Sequence, residues 1–510
     1  MSFSRRSILA LGASSLASGC FANLDQTPGA PFKWKGRRPK NIIFCVADGM
    51  AHQTVSITDD YSRVVLGRNS YLAQLMDQPD VFSGLQATRS LSSIVTDSAA
   101  AAATWGSGRR VWNGMLNMYP DKTSLRTLNN IMVEAGVKTG LVTTTTMTHA
   151  TPSGFSINMF SRDDEHLIAE QHLTAGVSVL FGGGDRFFSS AKRKDKRDLY
   201  ADFEKKGYKV VKTRDDLMAM SGDKMLGIFS DSHLPFSVDR DNSPELQKSV
   251  PTLAEMASKA IGLLKGNSKG FVLQIEGGKV DHAGHANDLA GHIYDQIAFE
   301  EAVKVAIDFA REDKNTLVIV TADHATGGPS LNGAGNEYFD STRGIASLAG
   351  HKSTYSPILA KIGLKPTPDK VKEVVDAMLG VGLKPAEAQI LADAIGGKSP
   401  FAALDFHKGI PSAMGLVMAN YTKVGWTSLN HTSEHVLVTA YGPGSEQVRG
   451  LTQNYEFFNL MLAAKGLKHE NPIMSFEDAQ KAMAKHEANK GKDALAYVTP
   501  HDDCDDVLFG

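Results

Sequence analysis

The 510-residue sequence has few cysteines and almost no net charge, and each shortage excludes a class of protein. Its three cysteines, Cys20, Cys45 and Cys504, are too few for a disulfide-rich secreted scaffold. Its 54 Lys+Arg and 56 Asp+Glu leave a formal charge of −2, so no basic field favours nucleic acid as a specific partner. No internal stretch approaches the roughly 20 apolar residues that span a bilayer.

The first 20 residues differ in composition from the rest of the chain. Arg5 and Arg6 precede an apolar stretch at 8–16, and small residues follow as far as Cys20. This order is typical of an export signal of the twin-arginine type, which predicts a periplasmic or extracellular protein. The glycine before Cys20 resembles a lipoprotein processing site, whereas Ala17 stands where such signals usually have leucine. Lipid attachment at Cys20, which would anchor the protein to a membrane, and cleavage without lipid both stay open.

From residue 41 onward, short apolar runs alternate with segments of helical periodicity. Six runs have the length and composition of buried strands: Asn41–Ala47, Thr139–Thr144, Val177–Phe181, Phe271–Ile275, Thr316–Thr321 and Val436–Tyr441. Residues 287–311 carry apolar side chains about one helical turn apart, which indicates an amphipathic helix packed on a sheet. The pattern predicts an α/β fold, with a mostly parallel central sheet flanked by helices on both faces. Ligands of such sheets bind beyond the carboxyl ends of the strands.

The loops after these strands carry side chains that bind metals or phosphate. They contain Asp48, His149 and Thr151, then Glu276, Asp281 and His285, and finally Asp323 and His324. Any one of them alone is more often a turn, a helix cap or a structural residue. Several carboxylates around one crevice repel each other unless cations neutralise them, so their joint placement predicts bound metal. Carboxylates with imidazoles suit Zn²⁺ and oxygen ligands alone suit Mg²⁺, which predicts a mixed-metal centre.

Spacing adds detail at two of these loops. Asp281 and His285 are four residues apart and share one face if the segment is helical, whereas His282 between them is by default an exposed loop residue. Asp323 and His324 are adjacent, so an extended backbone would point them apart. Sharing one metal therefore requires a sharp turn, which the glycines at 327 and 328 permit.

Ser98 is the candidate nucleophile. Five alanines follow it and favour a helix, and a cap at Thr96 or Asp97 places Ser98 in the first turn, where free amides attract anions. Without the ligand loops, an ordinary capping sequence would be the preferred interpretation. Beside them, a metal and the helix amides can activate a serine that has no neighbouring base. Arg162 has a planar fork that suits two phosphate oxygens.

Six segments in order closely resemble the alkaline phosphatase family. They are NIIFCVADGM at 41–50, VTDSAAAAATWGSGRRVWNGMLN at 95–117, the segment 149–162, FVLQIEGGKVDHAGHAN at 271–287, NTLVIVTADHATGG at 315–328 and HTSEHVLVTAYGPG at 431–444. The resemblance implies hydrolysis of small phosphate monoesters to alcohol and inorganic phosphate. It assigns the phosphoserine intermediate to Ser98 and the clamping of the phosphoryl oxygens to Arg162.

The resemblance also implies two zinc ions and a third ion. Asp281, His285 and His431 would hold one zinc, Asp48, Asp323 and His324 the second, and Asp48, Thr151 and Glu276 the third ion. Only the family motif points to His431, because a lone histidine before threonine is usually structural. Members differ at the positions of His149 and His282, and histidine at both is typical of one branch, in which Mg²⁺, Zn²⁺ and Co²⁺ all fit the third site. We expect His149, His282 and Asp97 to lie beside the ligands or the phosphate.

The predicted organisation is a signal at 1–20, a linker at 21–40, a catalytic domain at 41–466 and a charged tail at 467–510. No family motif matches 344–422, where three helices are predicted: Pro368–Leu379, Pro385–Ala394 and Ser412–Tyr421, with Gly380, Gly396 and Gly425 as stops. We expect a helical insertion at the active-site rim or in a homodimer interface. The tail is helix-prone near 476–490 and acidic at 501–506, and is predicted to be solvated or partly disordered.

Three other functions compete with the phosphomonoesterase. A phosphodiesterase or sulfatase of the same fold is disfavoured, because diesterases that resemble the family usually lack the third site to which Thr151 and Glu276 belong. Sulfatases also need a modified residue in a proline-containing motif, which Ser98 lacks. A non-catalytic periplasmic protein that binds metal or phosphate would not need Ser98 or Arg162. A structural surface lipoprotein would explain none of the ligand loops.

Overall fold

The structure of the protein is a computed structural model, and it describes residues 32–490. The predicted signal at 1–20, Cys20, the first part of the linker and the acidic stretch 501–506 lie outside the described residues. Within 32–490, no helix is both long enough and apolar enough to cross a bilayer.

Within residues 32–490, ten strands form one central sheet and four short strands form two ribbons. The strands are β1 (Asn41–Ala47), β2 (Val81–Ala87), β3 (Lys138–Thr146), β4 (Val179–Gly183), β5 (Lys209–Val211), β6 (Met225–Ile228), β7 (Phe271–Gly277), β8 (Thr316–Thr321), β9 (Ala325–Thr326), β10 (Ser330–Leu331), β11 (Val424–Gly425), β12 (His431–Thr432), β13 (Val436–Tyr441) and β14 (Gly450–Gln453). The sheet order is β14-β2-β13-β8-β1-β7-β3-β4-β6-β5, and the ribbons pair β10 with β11 and β9 with β12. The predicted α/β fold with a mostly parallel central sheet is therefore confirmed.

Helices cover both faces of the sheet. They are α1 (His52–Leu66), α2 (Tyr71–Met76), α3 (Ser98–Ser107), α4 (Leu128–Glu134), α5 (Ala150–Gly154), α6 (Glu165–His172), α7 (Asp185–Phe188), α8 (Leu199–Lys205), α9 (Arg214–Ala219), α10 (Ser237–Asp241), α11 (Pro244–Ser249), α12 (Leu253–Leu264), α13 (Lys279–His285), α14 (Leu289–Asp313), α15 (Phe339–Ser347), α16 (Tyr355–Ile362), α17 (Pro368–Leu379), α18 (Pro385–Ile395), α19 (Gly409–Thr422), α20 (Glu456–Ala464) and α21 (Phe476–Lys490).

Strand β1 shows why the central strands are continuous apolar runs. Ile43 and Cys45 join the hydrophobic cluster on one face of the sheet, while Ile42, Phe44 and Val46 join the cluster on the other face. Because successive side chains of a strand point to opposite faces, a strand covered on both sides must be apolar at every position. Burial raises the pKa of the Cys45 thiol, as expected for a structural cysteine.

Strand β13 runs antiparallel to its neighbours β8 and β2, which agrees with a sheet that is mostly but not entirely parallel. The connection explains the reversal. The chain leaves β8 at its carboxyl end, stays over that edge of the sheet through β9 and β12, and re-enters the sheet from the same edge. A strand entered from the carboxyl edge of its neighbour must run antiparallel to it.

Residues 339–422, here called the helical module, contain α15 to α19 and have their own apolar cluster. Strand β10 precedes the module in the chain and β11 follows it, so their pairing brings the two ends of the module together. The predicted stop at Gly425 is wrong, because α19 ends at Thr422 with Lys423 in the left-handed conformation, and Gly425 lies in β11. Gly380 does end α17 in that conformation, with φ of 67°.

The beginning of the predicted tail is packed rather than solvated. Asn471 is 4% exposed, and its side-chain amide donates to the carbonyls of Ser107 and Arg126. The ring of Phe476 stacks on Trp112 with centroids 6.2 Å apart. The charged composition of the tail did not indicate these contacts, because the residues that make them are few and scattered along the sequence.

Candidate active site

The predicted ligands converge because their strands are neighbours. The sheet order β8-β1-β7-β3 places the carboxyl ends of four parallel strands side by side. Asp48 follows β1, Glu276 lies near the end of β7, and Asp323 follows β8. Helix α13 follows β7 and brings Asp281 and His285 to the same edge. The loop after β3 adds the remaining side chains of the site.

The first candidate metal group consists of Asp281, His285 and His431, whose ligand atoms lie within 4.8 Å of one another. Nε2 of His285 lies 3.3 Å from a carboxylate oxygen of Asp281 and 3.0 Å from Nε2 of His431. Nδ1 of His285 donates to the carbonyl of Leu429 at 2.5 Å, and Nδ1 of His431 donates to the carbonyl of Thr96 at 2.9 Å. These bonds fix the tautomers, so both Nε2 atoms are left with a lone pair directed into the group.

The second group consists of Asp48, Asp323 and His324 and lies against Ser98. Nε2 of His324 is 3.0 Å from Asp323 Oδ2 and 3.2 Å from Ser98 Oγ. Asp323 Oδ1 accepts from the amides of Gly49 and His324, which leaves Oδ2 directed at the group. The required turn is present, because the chain bends at Asp323, between β8 and β9. Adjacent Asp and His side chains can therefore serve one site.

The third group consists of Asp48, His149 and Glu276. Thr151 Oγ1 donates to Asp48 Oδ2 at 3.2 Å, and Nδ1 of His149 lies 3.8 Å from Glu276 Oε1. His149, expected beside the ligands, thus lies among them. His282 is 1% exposed, so the default of an exposed loop residue is wrong, and its ring lies 5.8 Å from that of His149. Asp48 is shared by the second and third groups.

Several ligand atoms are buried without a hydrogen-bond partner. They are Asp48 Oδ1, Asp323 Oδ2, Glu276 Oε1 and His149 Nδ1. A buried polar atom without a partner costs about 1–3 kcal/mol. Three of these atoms are carboxylate oxygens in adjoining groups, and their lone pairs have the arrangement that a bound cation satisfies.

The charges of the centre shift two carboxyl groups in opposite directions. Burial, and then the carboxylates of Asp323 and Asp281, raises the pKa of Asp48 well above its ordinary value. Burial would also raise the pKa of Asp281, but His285 and then His431 outweigh it and hold that pKa well below its ordinary value. Divalent cations would stabilise all of these carboxylates in the ionised form, so the donor set fits metal binding.

Ser98 is the first residue of α3. Asp97 caps this helix: its Oδ1 accepts from the amide of Ala100 at 2.9 Å, so the amides of the first turn face the site. Arg162 is 5% exposed, and its Nη2 donates to Nε2 of His149 at 2.9 Å. Its Nη1 lies 3.5 Å from Asp97 Oδ2. The nucleophile and the arginine fork are therefore both adjacent to Asp97.

Two contributing residues were missed from the sequence. Thr326 donates to Asp281, and its hydroxyl lies 3.3 Å from Nδ1 of His324. Its position two residues after His324 inside a matched segment could have indicated this role. The ring of His233 lies 4.5 Å from that of His282, and its Nδ1 accepts from the amide of Thr146. No sequence signal marked His233, because it follows β6, a strand that was not predicted.

Comparisons with known proteins agree with this geometry. A sequence profile of the family described as Alkaline phosphatase matches residues 39–467. The chain is 34% identical over 453 residues to alkaline phosphatase 3 of Bacillus subtilis, which covers 87% of this chain and 92% of that protein. Among solved structures, it resembles the Thermus thermophilus alkaline phosphatase with 38% identity and a TM-score of 0.84, covering 88% of this chain and 96% of that one. It also resembles a cold-active alkaline phosphatase from a psychrophilic Shewanella, with 27% identity and a TM-score of 0.69, covering 83% and 99%.

The family match spans most of the chain and includes all the strands whose ends carry the three ligand groups. The predicted resemblance is confirmed, and with it the reaction. The chain belongs to the alkaline phosphatase family and is a hydrolase of phosphate monoesters.

Proposed function

We propose that the protein hydrolyses its substrates through a phosphoserine on Ser98, at a centre of two zinc ions and a third ion. The observation that carries the proposal is the position of the Ser98 hydroxyl, 3.2 Å from a ring nitrogen of His324 and at the start of a helix. His324 and Asp48 belong to the same ligand group, and Asp48 is also part of the third group. A serine in this position has both metal ligands and free amides around it.

The donor sets suggest which ion each group would hold. Asp281, His285 and His431 combine one carboxylate with two imidazoles, as zinc sites do, and the second group combines two carboxylates with one imidazole. The third group has mainly oxygen donors with one imidazole, so Mg²⁺, Zn²⁺ and Co²⁺ all fit it. When bound, the cations supply positive charge that stabilises the phosphoryl, attacking and leaving oxygens of the reaction.

The residues of the chain account for the remaining chemistry. Ser98 Oγ forms a bond to phosphorus while the bond to the alcohol oxygen breaks on the opposite side. Water then attacks the phosphoserine, and Ser98 is restored as inorganic phosphate leaves. The Nη atoms of Arg162 bind two phosphoryl oxygens, with Asp97 orienting one side of the fork. The first-turn amides of α3 add donors for the third oxygen.

Purified protein tests the proposal directly. Hydrolysis of an aryl phosphate monoester and of the matching diester would be compared, and labelled monoester would be quenched in acid to trap label on the protein. We expect the monoester to react much faster and the label to lie on Ser98. Faster hydrolysis of the diester, or label on another residue, would contradict the proposal.

Export and assembly are proposed from the sequence alone. The arginine pair and apolar stretch before Cys20 support export to the periplasm or the extracellular space, and Cys20 is the candidate site of lipid attachment. The helical module is the candidate surface for a homodimer. The mass of the mature amino terminus, labelled palmitate incorporation with and without Cys20→Ser, and light scattering test these three points in turn.

A further inference from the structure

The backbone N–H and carbonyl of Gly114 join the segment that carries the nucleophile to the segment that carries Arg162. Its N–H donates to Asp97 Oδ2 at 2.9 Å. The carbonyl of Gly114 accepts from the backbone N–H of Arg162 at 2.8 Å. Asp97 is the cap of the helix that begins at Ser98. A displacement of the Gly114 backbone would therefore move Asp97 and Arg162 relative to each other.

Asn113, which precedes Gly114, forms hydrogen bonds to the backbone that leads into helix α3, the helix that begins at Ser98. Its Oδ1 accepts from the backbone N–H of Asp97 at 3.3 Å, and its Nδ2 donates to the carbonyl of Val95 at 3.2 Å. Its own N–H donates to the hydroxyl of Ser92 at 2.9 Å. The side-chain amide thus holds the backbone on both sides of Thr96.

Thr96 connects the backbone held by Asn113 to the first metal group. Its carbonyl is the acceptor for Nδ1 of His431, the bond that fixes the tautomer of this ligand. The backbone held by Asn113 therefore touches the nucleophile, the cap of its helix and a candidate zinc ligand. Asn113 itself is half-buried and contacts none of the reacting atoms through the hydrogen bonds described.

We propose that Asn113 is a positioning residue that holds Ser98 and Arg162 in one frame for the transferred phosphoryl group. The inference rests on the roles proposed above for these two residues. A displacement of about 1 Å between reacting groups can cost about 100-fold in rate. Loss of the Asn113 hydrogen bonds should therefore weaken both the reaction and the binding of inorganic phosphate, because Arg162 and the amides of helix α3 must bind different oxygens of the same phosphoryl group.

The experiment compares Asn113→Ala with Asn471→Ala in the metal-loaded full chain. Asn471 is a matched control: its side-chain amide also donates to a backbone carbonyl of helix α3, but at Ser107, the opposite end from Ser98. We expect Asn113→Ala to lower kcat/KM for an aryl phosphate about 10- to 100-fold and to raise the Ki of inorganic phosphate. Asn471→Ala should lower the melting temperature without changing that Ki. Zinc content should stay the same in both variants.

A second variant guards against loss of folding. Asn113→Asp keeps the acceptor for the Asp97 amide and loses the donor to Val95, so we expect a smaller loss of kcat/KM than in Asn113→Ala. Values of kcat/KM and phosphate Ki within twofold of the wild type in both Asn113 variants would overturn the inference, as would an equal loss in Asn471→Ala. Ser98→Ala is measured alongside: full activity there would refute the proposed nucleophile, whereas an inactive Ser98→Ala with unaffected Asn113 variants would refute only the role of Asn113.

Discussion

Two buried glutamates show how the catalytic core and the helical module differ. Glu276, fully buried in the core, accepts from Thr143 through Oε2, and its Oε1 has no hydrogen-bond partner. Glu387, 7% exposed in the module, accepts from the amide of Lys384, from Tyr421 and from Asn420, so both its oxygens are occupied. The unpaired acceptor lies where a cation would bind, and the paired one holds α18 against α19.

The electrostatics of Glu387 agree with a structural role. Burial would raise the pKa of this carboxyl, but the hydrogen bonds from Tyr421 and from the amide of Lys384 outweigh it and lower the pKa below its ordinary value. The ionised form is thus stabilised by the module alone. Burial of a carboxylate is therefore weak support for a functional site, whereas burial without partners beside other ligands is strong support.

The module is nevertheless fastened close to the first metal group. The amide of Tyr355, at the start of α16, donates to Asp288 Oδ2 at 2.6 Å, and Asp288 follows α13 by three residues. Thr354 donates to Asp239 through both its amide and its hydroxyl. These bonds hold the module in place, but none of them involves a ligand atom. We expect substitutions inside the module to affect stability more than chemistry.

Metal removal should have the largest effect, because it acts on the core alone. We expect exhaustive chelation to abolish activity and Zn²⁺ with Mg²⁺ to restore most of it, since the three ligand groups bring together carboxylates whose charge bound cations would neutralise. Metal analysis and a monoester assay would be run on the same samples. His431→Ala should lose zinc as well as activity, and normal zinc content in this variant would show that the first group is misassigned.

Ser98→Ala comes next, with an expected loss of about 10³-fold or more in kcat, because the covalent route is removed while the charged centre stays. Zinc content should not change. Ser412→Ala is the matched control in the module: Ser412 is also fully buried, and its hydroxyl has no partner. It should keep wild-type activity. Equal kcat values for Ser98→Ala and Ser412→Ala would contradict the view that the core carries out the chemistry and the module does not.

The predictable part of the molecule follows the same division. β1 and β8 could be predicted to the residue because both of their faces are covered and the residues between their ends form unbroken apolar runs. β2 could not, since it is partly exposed and contains Ser83 and Gln86, so neither a continuous run nor a clear alternation is present. Ligands directly after apolar runs, such as Asp48, could be identified because the run itself marks the end of a buried strand, where ligands of such sheets bind.

Other features depend on tertiary structure and leave little trace in local sequence. His431 follows the whole module along the chain, and only the family motif marked it. Pairing of β9 with β12 brings it back to the centre, and a two-residue ribbon has no recognisable pattern. The tautomers of His285 and His431 depend on carbonyls of Leu429 and Thr96, which any residue type could supply. Contacts to backbone atoms do not constrain the sequence of the partner.

Leu391→Ala tests the module by stability. Leu391 is fully buried in the module's apolar cluster, so the substitution should lower the free energy of unfolding by about 2–5 kcal/mol. Urea unfolding gives this value, and kcat/KM measured well below the transition should stay within about twofold of the wild type. Leu273→Ala is the comparison in the core, where Leu273 of β7 is equally buried. A large loss of kcat/KM in Leu391→Ala would mean that the module takes part in forming the active centre.

The smallest expected effect concerns His351 of the module, whose ring is 4% exposed and has no hydrogen-bond partner on either nitrogen. Burial lowers the pKa of His351 from 6.5 to about 4. Between these values the unfolded chain binds a proton that the folded chain does not. The stabilisation is therefore complete above about pH 6.5 and is lost progressively as the pH falls toward 4.

Between pH 7 and pH 5, this single group should reduce the free energy of unfolding by about 2 kcal/mol, as follows from the two pKa values. His351→Gln removes the titration, so its unfolding free energy should fall less over the same interval, with the difference close to that amount. Urea unfolding of both proteins at the two pH values measures it. Comparing variant with wild type at each pH cancels the metal ligands, which titrate in both proteins. Equal pH dependence in the two proteins would show that His351 is protonated as readily in the folded module as in the unfolded chain.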